Sequence, residues 1–265
     1  MTESTCLIQA LDDDGVLLAT LNRPEKKNAF HELQWDALAD CLSEARENPA
    51  VAVMVLNGAG GNFSSGVDLN SFSGEPLPPR ADGHPSAFYA CVEALFAFDK
   101  PLLAAVDGVA IGGGCTLALA CDIVYVGEGV RMRFPFANLG LVPEIASSYT
   151  LQANVGRQRA SELMFTAEWI DAARALEVGL AVRTFPDDQL LEQTLAKARE
   201  IAQWPVSALR GIKQTLQVAH RAGIQAALQI EDEGMKNLAG SPENIEAVTA
   251  FLQKRAPDFK QFRKT

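Results

Sequence analysis

Val106-Asp107-Gly108-Val109-Ala110-Ile111-Gly112-Gly113-Gly114-Cys115-Thr116-Leu117-Ala118-Leu119-Ala120-Cys121-Asp122-Ile123 is the stretch whose reading decides the fold. One apolar run, Leu102 to Val106, leads into it, and a second, Ile123 to Val126, leads out. Between them, three consecutive glycines precede Cys115 to Ala120, which has helical composition. Glycines at 112, 113 and 114 have no Cβ, so the backbone can take positive φ and let a ligand approach closely. A helix starting there presents unpaired N–H groups and the positive end of its dipole. Such a place holds a phosphate, a carboxylate or a developing oxyanion. Three glycines serve equally well in a tight turn that packs a helix against a sheet.

A second glycine-rich stretch lies upstream. Leu56-Asn57-Gly58-Ala59-Gly60-Gly61-Asn62-Phe63-Ser64-Ser65-Gly66-Val67-Asp68-Leu69 follows the apolar run Val51 to Leu56. It ends at an expected helix start, with Asp68 near the N-cap. Two strand-to-glycine-turn units can offer two backbone N–H groups to one oxygen atom.

With these two stretches, Leu21-Asn22-Arg23-Pro24 to Asn28-Ala29-Phe30 and Phe251-Leu252-Gln253-Lys254-Arg255-Ala256-Pro257-Asp258-Phe259 complete a set in the order and spacing of a known family. The chain resembles the crotonase, or enoyl-CoA hydratase/isomerase, superfamily over nearly its whole length. The resemblance implies an α/β fold, with a ββα spiral acyl-CoA-binding core over 1–186. A C-terminal all-helical region over 187–265 would pack between subunits of a homotrimer or a dimer of trimers.

Composition sets independent bounds. The 265 residues suffice for one large domain or one domain with a helical appendage. A hydrophobic fraction of 48% and a charged fraction of 21% are those of a soluble globular chain. No apolar run reaches the roughly 18 residues of a membrane span. Met1 to Thr5 carry no secretory signal and Arg263-Lys264-Thr265 is not a peroxisomal address, so the expected location is cytoplasmic. The net charge of −10 argues against a nucleic-acid partner. Basic clusters nevertheless stand near Arg23, Lys26 and Lys27 and at the C-terminus (Lys254, Arg255, Lys260, Arg263 and Lys264), where they serve a solvated face or an anionic ligand. The five cysteines form no CxxC pair and read as reduced, buried thiols. His31, His84 and His220 have no partner at metal spacing, so no metal and no separate cofactor is expected.

In chain order, Cys6 to Ala10 and Val16 to Leu21 read as strands about an Asp12–Gly15 turn. Phe30 to Arg46 reads as a helix with Leu33, Leu38 and Leu42 on its apolar side. Val51 to Leu56 reads as a buried strand, and Ser71 to Pro85 as an irregular loop. Ser86 to Ala97 reads as a helix with Phe88, Val92, Leu95 and Phe96 inward. Helical patterns follow at 146–153, 156–165 and 170–176, the last ended by Gly179. Leu180 to Phe185 reads as a short strand. Beyond it, 187–203, 206–219, 225–238 and 242–255 are helical.

The resemblance also assigns residues by position. Val67 and Gly113 become the backbone donors to a thioester carbonyl; losing one such donor costs about 3 kcal/mol of transition-state stabilisation. Lys26 and Lys27 fall where the family meets the adenosine and phosphate portion of coenzyme A, the alternative being two exposed loop lysines. Ala29, Ser65, Gly66, Asp68, Leu69, Gly112, Thr116, Phe136 and Lys254 fall at substrate-contact positions, Asp68 and Asp122 having a structural role. The 71–85 loop borders the acyl pocket. Hydratases of the family use two glutamates, and the matching positions here are Thr116 and Phe136, neither of them a base. Glu144, in Leu139-Gly140-Leu141-Val142-Pro143-Glu144, matches the catalytic acid of the Δ3,Δ2-enoyl-CoA isomerase branch. Glutamate there is also a common helix-start residue. The resemblance therefore implies an enoyl-CoA isomerase acting on an acyl-CoA thioester. The alternatives are a hydratase using Glu144 alone, a dehalogenase- or hydrolase-like member, and a non-catalytic CoA-binding homologue. The dehalogenase members place an aspartate near this position, where this chain has glutamate.

Overall fold

The computed structural model describes residues 6–68 and 80–263. Its first hairpin follows from turn chemistry. Asp12 Oδ1 accepts from the N–H groups of Asp14 and Val16 at 3.1 and 2.9 Å, and Gly15 takes a φ of +82°. That turn joins β1 (Leu7–Leu11) to β2 (Val16–Leu21) in antiparallel register. β3 (Val53–Gly58), β4 (Leu102–Val106), β6 (Ile123–Gly127) and β8 (Arg183–Phe185) then add in parallel. The sheet order is β1-β2-β3-β4-β6-β8.

Near-continuous apolar strands imply a sheet covered on both faces. Met54, Leu56, Leu102, Ala104 and Val106 face the main core, and Val53, Val55 and Leu103 face the other side. On the first face, α1 (Glu32–Glu47) buries Trp35, Leu38, Ala39, Cys41, Leu42 and Ala45, a period of 3.6. Leu33, which the same spacing places inward, is exposed. α2 (Ala87–Ala97) packs beside it and buries Ala87, Cys91, Val92 and Leu95, with Phe88 and Phe96 half-buried.

The second face is covered by α7 (Leu190–Ala202), whose Ala198 joins Val16, Ala52, Val53, Val55 and Leu103. Packing thus makes α7 part of the cover of the sheet. The helices beyond are α8 (Val206–Val218), α9 (Arg221–Leu238) and α10 (Pro242–Leu252). α8 is tied to the sheet by Lys213, whose Nζ lies 2.7 Å from Asp122 Oδ2. The same Asp122 oxygen accepts from Leu102 N at 2.8 Å, which gives Asp122 the structural role expected of it.

Two short strands, β5 (Val109–Ile111) and β7 (Arg131–Arg133), form a second parallel sheet that the sequence pattern did not reveal. Between β5 and β6 runs α3 (Gly113–Leu119), wholly buried. α4 (Ser147–Val155), α5 (Arg157–Thr166) and α6 (Ala172–Val178) follow, and Gly179 ends α6 in the left-handed region at φ +86°. Among the described residues no helix is long and apolar enough to cross a membrane. The helix expected after Asp68, Leu69, and all but the last residues of the 71–85 loop fall on 69–79, outside the described residues.

Candidate active site

Three segments meet at one end of the sheet. The 23–30 loop is held to the 59–64 turn by the fully buried Asn28. Its side chain accepts from Arg23 N at 2.8 Å and donates to the Ala59 and Asn62 carbonyls at 2.9 and 2.6 Å. The 63–67 segment is held in turn to β5: Ser64 N donates to Val109 O and Ile111 N to Ser64 O, both at 3.0 Å. Arg23 reaches Asp68 at 3.3 Å, so Asp68 fixes this loop pair.

The direction of the Val67 N–H follows from peptide geometry. Gly66 C=O and Val67 N–H belong to one planar trans unit and point opposite ways. The Gly66 oxygen accepts from Phe30 N at 2.7 Å, so Val67 N–H points away from Phe30. Gly66, at φ +88°, passes so close to the next turn that a Cβ there would lie 2.5 Å from Ile111 O and 3.3 Å from Gly113 N. Gly113 opens α3, where the first N–H groups have no preceding turn to donate into. Two backbone donors from separate glycine turns thus come together, and Gly112 at φ +52° makes the sharp bend before the second.

Glu144 stands opposite them. Its Oε1 lies 3.1 Å from where a Cβ on residue 113 would be, beside Val67 and Trp35. Any side chain at 113 would displace that carboxyl. Among the described residues the Glu144 carboxyl has no hydrogen-bond partner. Desolvation by burial, with the Glu231 carboxylate adding to it, pushes its pKa up from 4.5 to about 7. The helix-start reading of Glu144 does not hold for its side chain. The N-terminus of α4 is capped by Glu231, whose two oxygens accept from Ala146 N and Ser148 N, each at 2.8 Å.

These groups open onto one cavity of about 1610 Å³ between the core and the C-terminal helices. Lys26, Ala29, Ser65, Gly66, Val67, Asp68, Gly112, Gly113, Phe136 and Glu144 all line it. Its apolar wall includes Phe88 and Trp35, the latter stacked on Phe30 at 3.8 Å between ring centres. His84 and Pro85, the described end of the expected acyl-pocket loop, line it as well.

Three expected residues do not. Thr116 is 0% exposed and its hydroxyl donates to Gly113 O at 3.3 Å, so it braces α3 and does not face the cavity. Lys27, at a left-handed φ of +49°, is exposed outside the lining. Lys254 is exposed in the turn after α10, while Arg255 lines the cavity and pairs with Glu246. The sequence reading missed Glu231. The signal was present: it shares a helical face with Ala227, Leu228 and Met235, an acidic residue on an apolar stripe.

Other reactive groups are accounted for. Burial pushes the Cys41 thiol up to about 12, and Cys91, Cys115 and Cys121 are buried and likewise raised. No group of His, Cys, Asp and Glu among the described residues is placed to hold a metal ion.

A mostly parallel sheet carrying two glycine turns, with a desolvated carboxyl beside Gly113, defines an α/β enzyme of the crotonase fold. The chain belongs to the enoyl-CoA hydratase/isomerase family, whose pattern matches residues 12–263. It is 37% identical to the 2,3-dehydroadipyl-CoA hydratase of Escherichia coli (strain K12) over 245 residues, 92% of this chain and 95% of that protein. The 1,2-epoxyphenylacetyl-CoA isomerase of the same organism is 34% identical over 250 residues, 93% and 95% of the two chains. Among solved structures, the enoyl-CoA hydratase/isomerase from Pseudoalteromonas atlantica T6c superimposes with a TM-score of 0.89 at 34% identity. That match covers 96% of this chain and 99% of the other.

Proposed function

We propose that the protein isomerises 3-enoyl-CoA to 2-enoyl-CoA, with Glu144 carrying one proton from C2 to C4. The observation that supports this is the unpartnered, desolvated Glu144 carboxyl facing Gly113 and Val67. Its ionised form removes a proton from C2. The C2–H electron pair becomes the C1=C2 bond while the carbonyl pair moves onto the thioester oxygen, which accepts hydrogen bonds from Val67 N–H and Gly113 N–H. The protonated carboxyl then gives the proton to C4. The C3=C4 pair forms the new C4–H bond, the C1=C2 pair moves between C2 and C3, the C1=O bond re-forms, and Glu144 is again ionised. A pKa near 7 suits a group that must both take and return a proton.

Hydration is the second reading, favoured by the name of the 37% identical relative. Against it, Phe136 is an apolar wall residue, 5% exposed, and Thr116 is buried away from the cavity, so neither hydratase glutamate position carries a carboxylate. The test is product analysis with 2-enoyl- and 3-enoyl-CoA substrates, for wild type and Glu144→Gln. Isomerisation without water addition, lost by at least about 10²- to 10⁴-fold in the variant, is the expected result. Hydration of 2-enoyl-CoA as the main activity, or a variant that keeps most of its isomerase rate, rejects the assignment. No turnover of any enoyl-CoA by wild type would leave a CoA-binding homologue.

A further inference from the structure

The segment that carries Glu144 is bent in a way its residues do not favour. Ile145 and Ala146 both lie in the left-handed region, at φ +56° and +54°. A β-branched residue with positive φ is a genuine outlier, and such strain persists where the surroundings over-determine it. The turn directs residue 144 back toward α3 before α4 begins.

α9 supplies the restraint. Glu231, 5% exposed, enters from this helix and takes the Ala146 and Ser148 N–H groups, at 2.8 Å each. One of these donors, Ala146 N–H, lies within the strained turn and the other, Ser148 N–H, just after it. Close approach of α9 is built in: at Gly234 a Cβ would stand 2.9 Å from Val142 Cγ2, and Gly223 lies against the Tyr149 ring. The helix is thus seated along both sides of the 144–148 segment.

We propose that Glu231 is a positioning residue, which clamps the Ile145–Ala146 turn through two backbone N–H groups and so fixes the Glu144 carboxyl against Gly113 and Val67. This rests on Glu144 being the proton carrier. Positioning matters at this scale, since misplacing a reacting group by about 1 Å can cost 10²-fold in rate. Several other charged groups around the cavity are engaged elsewhere. Asp232, also on α9, accepts from Tyr89 and Lys236, Glu32 on α1 accepts from Ala87 N, and Asp68 holds Arg23. Arg133 donates to Ala167 O and Asn138. Burial raises the pKa of Glu144 most, and the Glu231 charge adds to it, so Glu231 bears on the protonation of that carboxyl as well as its place.

Glu231→Gln tests this, because an amide can accept one of the two N–H bonds but meets the other donor with its own NH2. The expected result is kcat reduced by about 10-fold or more, with KM for a 3-enoyl-CoA within about 3-fold of wild type. The acid limb of the kcat/KM profile should move to lower pH, since the negative neighbour that resists ionisation of Glu144 is gone. Glu231→Asp, which keeps the charge but withdraws it by one methylene, should lower kcat while leaving that limb nearer its wild-type place. A Glu231→Gln enzyme with wild-type kcat and an unmoved acid limb overturns the proposal. So does failure of both variants to fold, which would make Glu231 a structural residue. Glu144→Gln run in parallel separates the two readings: if it stays active, the isomerase reading fails whatever Glu231 does.

Discussion

Gly114 and Ser64 touch backbone to backbone across the two glycine turns. A Cβ on residue 114 would fall 2.8 Å from Ser64 Cβ and closer still to the Ser64 carbonyl oxygen. This contact sets the separation of the two segments that carry the Val67 and Gly113 N–H groups.

Gly114→Ala should therefore cost more than Gly112→Ala. At 112 the space is open, Pro135 being 3.8 Å away, and the cost is the positive φ alone, about 1–2 kcal/mol. At 114 the clash is with main chain that no rotamer change relieves, and overpacking of this kind costs about 1–3 kcal/mol. It also parts the two N–H donors, so activity of the folded variant should fall by about 10²-fold or more. Thermal melts and kcat on a 3-enoyl-CoA check both. Equal activity in the two variants would show that the Ser64 contact does not set the donor spacing.

Coenzyme A thioesters should bind more weakly as salt rises, because the Lys26 ammonium at the cavity rim is exposed and its pairing with phosphate is screened. An exposed pair is worth about 0.2–1 kcal/mol, so Lys26→Gln should weaken binding up to about 5-fold. Lys27→Gln should do less, since Lys27 lies outside the cavity lining. Calorimetric titration with an acyl-CoA measures this, and larger loss at Lys27 would contradict the placement.

Much of this architecture is legible in sequence because it is written in local terms. The glycines at 112–114, the apolar runs on either side and the helical spacing of Leu38 and Leu42 each act within a few residues. The carboxyl proposed to carry the proton was legible through its motif, yet its surroundings were not. Nothing in the spacing tells that Glu231, 87 positions after Glu144, caps α4. The short strands β5 and β7 also escaped notice, since three residues carry too little pattern to separate a strand from a turn. Nor does the spacing of α7 tell what it covers, because amphipathic spacing names an apolar face but not what it packs against.

Assembly is expected from the apolar side chains that the single chain leaves uncovered from the end of α7 onward, and the family resemblance implies that it is a trimer or a dimer of trimers. Trp204, Ile212, Leu216, Val218, Ile230 and Phe251 are all exposed. Surface of this kind marks a protein interface. Light scattering at micromolar concentration should give at least three times the 28.5 kDa chain mass. A monomer there contradicts the expectation.

Glu144 should make the folded protein less stable as pH rises from about 4.5 to 7. In the unfolded chain this carboxyl loses its proton near 4.5, and in the folded chain near 7. Below both values it is protonated in both states and contributes no difference. Between them the folded state binds more protons than the unfolded one, so unfolding free energy falls with rising pH. Above 7 the full cost of a desolvated carboxylate is present. At 1.36 kcal/mol per pKa unit that cost is about 3 kcal/mol. Glutamine does not ionise, so Glu144→Gln should be the more stable protein at pH 8, and the gap should close by pH 4.5. Paired thermal melts across that range measure the difference. The substitution that removes the proposed proton carrier would then raise the melting temperature, as expected when a desolvated base is kept for chemistry at the expense of stability. A gap that does not change with pH would mean that Glu144 is ionised at ordinary carboxylate values, and the shuttle mechanism would lose its basis.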